Sequence, residues 1–399
     1  MPTANWLAAA ASVSARPIFV FQMPEVGMYF SSDGAHFPIG FAAGASEPYH
    51  ADLIAEGGFP TIKRSIRDIY SGRVVVTLGS IKIADAGEFD AAIGDHTVTL
   101  RGKKLNGWIT YPRLAPEDAV QFLTARVQDA DFSDAKTLTL NITDAAVEEA
   151  EAARLAAYSY TAANLGTLVK NALTAAGVAY PAGYDTAKWN AWTASGKPGA
   201  FTVTGSYSDG DIWSVLDALL ADTHSWYGFD RTGLFVIEQF ADLTGTPAAD
   251  YDLSDPNDVF AWPGMKLITP VFRKQTVKYN AGASSVTKTA NVLTSDPWWP
   301  TAQDGSGVDA GITNVTDATS LATARLTLLC HEHAQIGTIS DFRFCSANIG
   351  QTVKMPAGDK NLPGIPPQYH RIIEIEEDPN TVGGVKIALW TDLGGPGIV

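Results

Sequence analysis

Short runs with a two-residue period, broken repeatedly by turn clusters, bound what this chain can become. Thr137-Leu138-Thr139-Leu140-Asn141-Ile142 puts its apolar side chains on one face and its polar ones on the other, the pattern of a half-buried strand. SIKIA does the same with Ile81 and Ile83, and VVVTLG and LFVIEQF are β-rich runs of similar length. Such runs fill residues 17–145 and return after residue 250, while the stretch between them shifts to a helical period. With 36 Gly and 22 Pro to supply turns and 46% hydrophobic residues to supply cores, a β-dominated chain of two or three domains is expected. The divisions fall at 1–145, 146–250 and 251–399.

The central portion reads as helices covering a small sheet. AAVEEAEAARLAA is rich in Ala and Glu and predicts a helix. NLGTLVKNALTAAGV sets Leu165, Leu168, Val169, Ala172 and Leu173 at helical spacing, with Gly177 as a stop. A tryptophan-bearing loop, AKWNAWTASGKPG, follows. SDGDIWSVLDALLADTH then opens on Ser208 with Asp211 three residues later, a capping pattern, and carries the stripe Ile212, Val215, Leu216, Leu219, Leu220. SWYGFDRTGLFVIEQF closes the unit as a hairpin. Its turn, Asp230-Arg231-Thr232-Gly233, suits a type I turn followed by a left-handed glycine and calls for no function. Trp226, Phe229, Phe235 and Phe240 are expected to pack on the helix stripe.

Elsewhere, PEDAV opens like a helix while FLTARVQD alternates, and a hairpin with TLTLNI is the reading adopted for 116–142. HTVTLRG and NGWITY read as strands, and PVFRKQTVKYN as a long, partly exposed one. TDATSLATARLTLLCHEHA reads as helix, with strand signals entering at HAQIGTISDFRF. IGQTVKM, YHRIIEIEED and GGVKIALWTD close the chain as strands, with Asp378-Pro379-Asn380 between the last two.

The net charge of −15 and the lack of any basic stretch argue against a grip on nucleic acid through phosphate contacts, although an acidic wall lets DNA pass without sticking. No apolar run approaches the ~20 residues of a membrane-spanning helix, so no stable membrane insertion is expected. MPTANWLAAAASVSARP has the small residues of a signal peptide but no Lys or Arg before its apolar part, so a packing helix is preferred. Cys330 and Cys345 cannot make a disulfide framework; one bridge or two free buried thiols remain, the second preferred.

Three sets of residues invite a chemical reading. His331-Glu332-His333 suggests a metal, but on a helix the two histidines diverge, and on a strand they share a face without an evident third ligand; a solvated pair at a helix end is preferred to a metal hydrolase. Gly282-Ala283-Ser284-Ser285 lacks the last glycine of a nucleophile elbow, and Gly305-Ser306-Gly307 has no strand-to-helix switch around it. Trp189, Trp192, Trp298 and Trp299, all read as lying in loops, would either stack on sugar rings or anchor a subunit interface, and the interface is preferred. No catalytic, cofactor-binding or metal-binding residue is assigned, no cofactor is expected, and the chain is not expected to be an enzyme.

Three segments, taken in order, carry a resemblance. LGSIKIADAGEFDAAI is a strand, an Asp-Gly turn and a Phe-Asp pair. AANLGTLVKNALTAAGV through FDRTGLFVIEQF runs helix, helix, aromatic strand, DRTG, strand. ATARLTLLCHEHA, IGQTVKM and YHRIIEIEEDPNTVGGVKIALWTD place a helix before a Gly-x-x-Val strand and a final hairpin ending in Leu389-Trp390. Together these resemble the tail hub, or baseplate hub, proteins of long-tailed bacteriophages, over most of residues 70–395. The resemblance implies a mainly β fold with an α+β insertion: two related β-barrel-like domains, 1–145 and 251–399, flanking a helix-containing centre, 146–250. It implies a structural protein of the virion tail tip, assembled in the host cytoplasm. Three copies would form a homotrimer whose six similar barrels meet a sixfold distal tail protein ring and whose threefold side meets a central fibre or spike protein. The tape measure protein is a further implied partner, and the ring would line the channel for DNA ejection. The rival on the same tail is a carbohydrate-binding or depolymerising receptor-binding protein.

Overall fold

In the computed structural model of the chain the described residues are 3–10, 17–26, 28–32, 50–51, 58–66, 72–84, 99–112, 114–134, 137–239, 248–254, 265–268, 272–290, 303–305, 307–355, 369–378 and 384–394, and every contact below is among them. The fold is mainly β, built on curled half-barrel sheets with a helical insertion. The turn expected at 85–87, the loop at 41–49, Trp298, Trp299, Ser306, Phe240, Pro379-Asn380 and the tail 395–399 lie outside the described residues.

The first sheet has seven strands, in spatial order His50–Ala51, Met28–Ser31, Ile18–Met23, Lys104–Thr110, Val120–Asp134, Thr137–Asp144 and Ser80–Ala84. The two-residue period decides which face is inside: Leu138, Leu140, Ile142, Ile81 and Ile83 are all buried. The ambiguity at 116–130 resolves as the hairpin, with Pro116–Asp118 a single 3-10 turn and Val120–Asp134 a fifteen-residue strand. Register shifts at Val127/Asp129 and Asp131/Asp134 bend that strand, which is how it curls. The described end of HTVTLRG, residues 99–102, is a turn and not a strand, because Gly102 at φ +80 redirects the chain. The N-terminal apolar stretch folds as the packing helix Ala4–Ala10. It carries Trp6, fully buried, edge-on to Tyr111 at 5.3 Å.

The second sheet has ten strands and draws on the whole chain. Its main path runs Phe235–Gln239, Ser225–Phe229, Gly72–Leu78, Ile62–Ile66, Tyr369–Glu377, Val385–Gly394, Glu332–Ser340, Met265–Ile268; Thr352–Lys354 and Tyr251–Asp252 extend it beside Tyr369–Glu377. Hydrogen bonding therefore crosses positions 145 and 250. Ile62–Ile66 pairs antiparallel with Tyr369–Glu377, and Trp226 of the central hairpin pairs in parallel with Gly72. One hydrophobic cluster joins the two large sheets, from Trp6 and Phe21 to Phe344 and Trp390.

A second cluster fills the centre. The helix Leu165–Ala175 is capped by Asn164, whose Oδ1 accepts from Thr167 N at 2.9 Å. It stops at Gly177, φ +87, where Val178 N–H reaches Leu173 C=O and Gly177 N–H reaches Thr174 C=O. The helix Ile212–Leu220 buries the expected stripe, but its cap is Asp211, accepting from Ser214 N at 2.7 Å, and not Ser208. Gly210-Asp211 pairs with Arg154-Leu155, which leaves Ser208 outside the first turn and also ends the helix Ala145–Glu151 earlier than its Ala-rich sequence predicts. Residues 186–192, read as loop, form a helix capped by Asp185. The helix Val315–Leu329 covers the hairpin of Phe272–Tyr279 and Ser284–Thr289. After Glu332–Ser340 the chain makes a 3-10 turn, Phe342–Ser346, in place of further strand.

Candidate functional site

The hairpin turn at 230–233 has the expected geometry and an unexpected content. Asp230 Oδ1 accepts from Thr232 N at 2.8 Å, Thr232 Oγ1 at 2.7 Å and Leu234 N at 3.0 Å, and Gly233 sits at φ +82. Arg231, at the tip of this turn, is nevertheless buried. Its Nη2 donates to Glu377 Oε1 at 3.0 Å and to the Ala347 carbonyl. Glu377 Oε2 lies 3.7 Å from Arg64 Nη1, and both of those side chains are buried too. Asp144, buried at the first-sheet end, caps the helix Ala145–Glu151 by accepting from Ala146 N and Val147 N. The N-terminal, central and C-terminal portions thus meet at one charged cluster.

Burial sets the electrostatics there. It raises the Glu377 carboxyl above the usual carboxylate range against the pull of Arg231 and Arg64, and it raises Asp144 against Arg64 and two backbone N–H groups. Burial likewise lowers Arg64, with Glu377 opposing. A neighbouring trio has the opposite balance: burial works against ionisation of Glu238, but Lys188 at 3.1 Å and Arg371 at 2.9 Å outweigh it and hold the carboxyl low. Between the two groups lies a cavity of about 100 Å³ lined by Arg64, Lys188, Trp226, Phe229, Asp230 and Asn348. Cys345, close to Arg231, has its thiol pushed well up by burial, the opposite of an activated nucleophile. The arrangement is a buried clamp between chain portions.

The residues singled out in the sequence do not gather here. His331 follows the helix and His333 lies in the strand Glu332–Ser340. Both are buried rather than solvated, with the His333 ring 4.8 Å from Trp390. Among the described residues no group of three or more metal-ligating side chains forms. Cys330 and Cys345 are free, buried thiols. Trp189 and Trp192 sit on a helix and are buried, with Trp192 Nε1 donating to Ser225 Oγ at 2.9 Å, so neither is a loop platform. Gly282 to Ser285 belong to a β-hairpin turn and its strand, after Asn280 and Ala281 at positive φ. Trp226 turns away from the helix stripe into the main cluster, while Tyr227, Phe229 and Phe235 join the central one; residues 226 and 229, three apart on a strand, face opposite ways. The clamp itself had a signal: Arg64 shares the buried phase of its strand with Ile62, and Glu377 that of Ile375.

No protein-family model matches the chain, and no curated protein matches it. The chain is similar to solved tail proteins. One, from Neisseria meningitidis, is 13% identical, with 84% of this chain and 91% of that chain covered and a TM-score of 0.47. A prophage tail protein from Listeria monocytogenes is 12% identical, with 95% of each chain covered and a TM-score of 0.46. A 43 kDa prophage tail protein from Shewanella oneidensis is 12% identical, with 94% and 97% covered and a TM-score of 0.43.

Proposed function

We propose that this chain is a structural protein of a phage-type tail, acting as the tail-tip hub. In this reading three copies form a ring that adapts a sixfold tail tube and distal tail ring to a threefold fibre or spike, and that lines the DNA exit channel. The observation that carries it is the interlocked ten-stranded sheet, in which strands from 62–78, 225–239 and 332–394 share one hydrogen-bonded array pinned by Arg64, Arg231 and Glu377. An adaptor that passes force between unlike symmetries needs its portions held at fixed angles, and a continuous sheet with a buried clamp holds them. The ordered motifs of the sequence support the same reading, and a net charge of −15 suits a channel wall that DNA slides past.

The receptor-binding alternative rests on the four tryptophans Trp189, Trp192, Trp298 and Trp299. Two of them, Trp189 and Trp192, are buried in the centre and offer no sugar platform. Cryo-electron microscopy of the intact particle tests the proposal. Three copies encircling the tail axis are expected, and copies standing off the axis would refute it.

A further inference from the structure

Arg64 is 2% exposed, and its Nε, Nη1 and Nη2 all lack a hydrogen-bond partner among the described residues. Glu377 Oε2, at 3.7 Å, makes an ion pair with it but stands too far away to accept a hydrogen bond. Buried donors left unmade are costly, and those of a charged group most of all. Arg64 shares the buried phase of its strand with Ile62, so the guanidinium is held inside. There it lines the cavity of about 100 Å³ that lies between the clamp and Glu238.

Three properties of this cavity narrow what it holds. The first is size: it has room for about three waters, and falls well below the roughly 300–1,000 Å³ of a cofactor site. A group of about five heavy atoms is the limit. The second is its apolar wall, formed by Val74, Trp226, Val236 and Ile349. Waters alone would meet Arg64 but would also wet that wall, which a short carbon stem covers. The third is that charge is already matched while hydrogen bonding is not. Glu377 stands between Arg64 and Arg231, Asp144 acts on Arg64, and Glu238 is held by Lys188 and Arg371. Asp185 and Asp230 also line the cavity, and their charge repels an incoming anion. Each uses Oδ1 on its own turn, Asp185 accepting from Lys188 N and Asp230 from Thr232 N and Leu234 N. Their Oδ2 atoms accept from none of the described residues. The unmet groups are thus cationic donors on one side and carboxylate acceptors on the other.

We propose that this cavity binds one small neutral carboxamide, its carbonyl accepting from Arg64, its N–H groups donating to Asp185 or Asp230, and its short stem lying against Trp226 and Val236. A carboxamide is uncharged, carries both a strong acceptor and donors, and fits the volume on a stem of one or two carbons. Such a group comes from either of two sources: the side chain of an Asn or Gln on a neighbouring protein, or a free small amide. The cavity is lined by residues from 64–74, 185–236 and 348–351, so its occupant braces the same junction as the clamp. The inference goes beyond the tail-tip reading and stands or falls separately from it.

The test is a titration of the full chain with propionamide and, separately, with propionate, followed by nuclear magnetic resonance at the labelled methyl group of Ile349. Propionamide is expected to shift that methyl saturably, in about the millimolar range open to five heavy atoms. Propionate should bind about tenfold more weakly or worse, because it brings a charge that the site does not need. Arg64→Met should weaken propionamide about tenfold or more. Val236→Phe fills the cavity and leaves the clamp intact, so it should abolish the shift even if Arg64→Met fails to fold. A photo-crosslinking amino acid at position 351, in the intact particle, separates the sources. Capture of a neighbouring protein assigns a side-chain carboxamide, and capture of none beside saturable propionamide binding assigns a free amide. Propionate binding as tightly as propionamide, propionamide binding unchanged in folded Arg64→Met or in Val236→Phe, or no saturable shift with either probe overturns the proposal.

Discussion

Arg231 Nη2 donates to Glu377 Oε1 at 3.0 Å across 146 residues of chain, with both side chains withdrawn from water. Breaking a buried pair by deleting one partner leaves an uncompensated charge and costs about 3–5 kcal/mol. The two deletions are not equal here. Arg231→Ala leaves Glu377 beside Arg64, whereas Glu377→Ala leaves two guanidiniums facing each other without the carboxylate that lies between them, Asp144 acting on Arg64 alone. Glu377→Ala is therefore expected to lower the urea midpoint further than Arg231→Ala. Equal losses would mean that Arg64 does not belong to the clamp.

His370 carries an acid-sensitivity prediction. Burial holds its pKa at about 3, and neither ring nitrogen has a hydrogen-bond partner among the described residues. Its folded value is depressed below the unfolded 6.5, so the stability it contributes is complete above pH 6.5 and is lost as the pH falls toward about 3. The slope in that window is up to about 1.4 kcal/mol per pH unit. Glu377, raised by burial, works in the opposite sense: its contribution is full at acid pH and fades as the pH rises through its folded value. Subtracting a His370→Leu profile from the wild type isolates the histidine. The difference should appear between pH 6.5 and 3, and a pH-independent difference refutes the assignment.

The sequence patterns found most of the elements and little of the clamp. Strand faces with a strict two-residue period, such as Leu138, Leu140 and Ile142, came out as expected because one buried face fixes the phase. Helices with a stripe and a stop, such as Leu165–Ala175, did too. Trp189 and Trp192 misled because flanking Gly and Pro weigh toward loop, while Asp185 supplies a cap and the aromatic contacts Trp189–Tyr184 at 4.9 Å and Trp189–Trp192 at 5.5 Å hold the helix. The pairing of Ile62–Ile66 with Tyr369–Glu377 spans most of the chain, and no local period encodes such a distance. Arg64 and Glu377 each occupied a buried phase, but only the folded topology brings the two phases together.

Trp192 separates the structural reading from the sugar-binding one. Its ring is buried and its Nε1 bonds to Ser225 Oγ. Trp192→Ala should cost about 3–5 kcal/mol of stability in denaturant unfolding. A variant that keeps wild-type stability but loses binding on a glycan array would favour the receptor.

Gly350 and Gly177 share nearly the same backbone, φ +84 and φ +87, but differ in surroundings. A Cβ on Gly177 meets nothing within 4 Å, while one on Gly350 would lie 2.3 Å from Trp226 Cζ2. Gly177→Ala therefore carries only the left-handed penalty, about 1–2 kcal/mol. Gly350→Ala adds overpacking of about 1–3 kcal/mol against a tryptophan that the central hairpin sends into the main core. Urea unfolding of the two variants under one condition should rank Gly350→Ala as the more destabilised, with a changed Trp226 environment visible in near-ultraviolet circular dichroism. Equal destabilisation would mean that Trp226 is free to move away, and that the seam between the centre and the second sheet is softer than its packing implies.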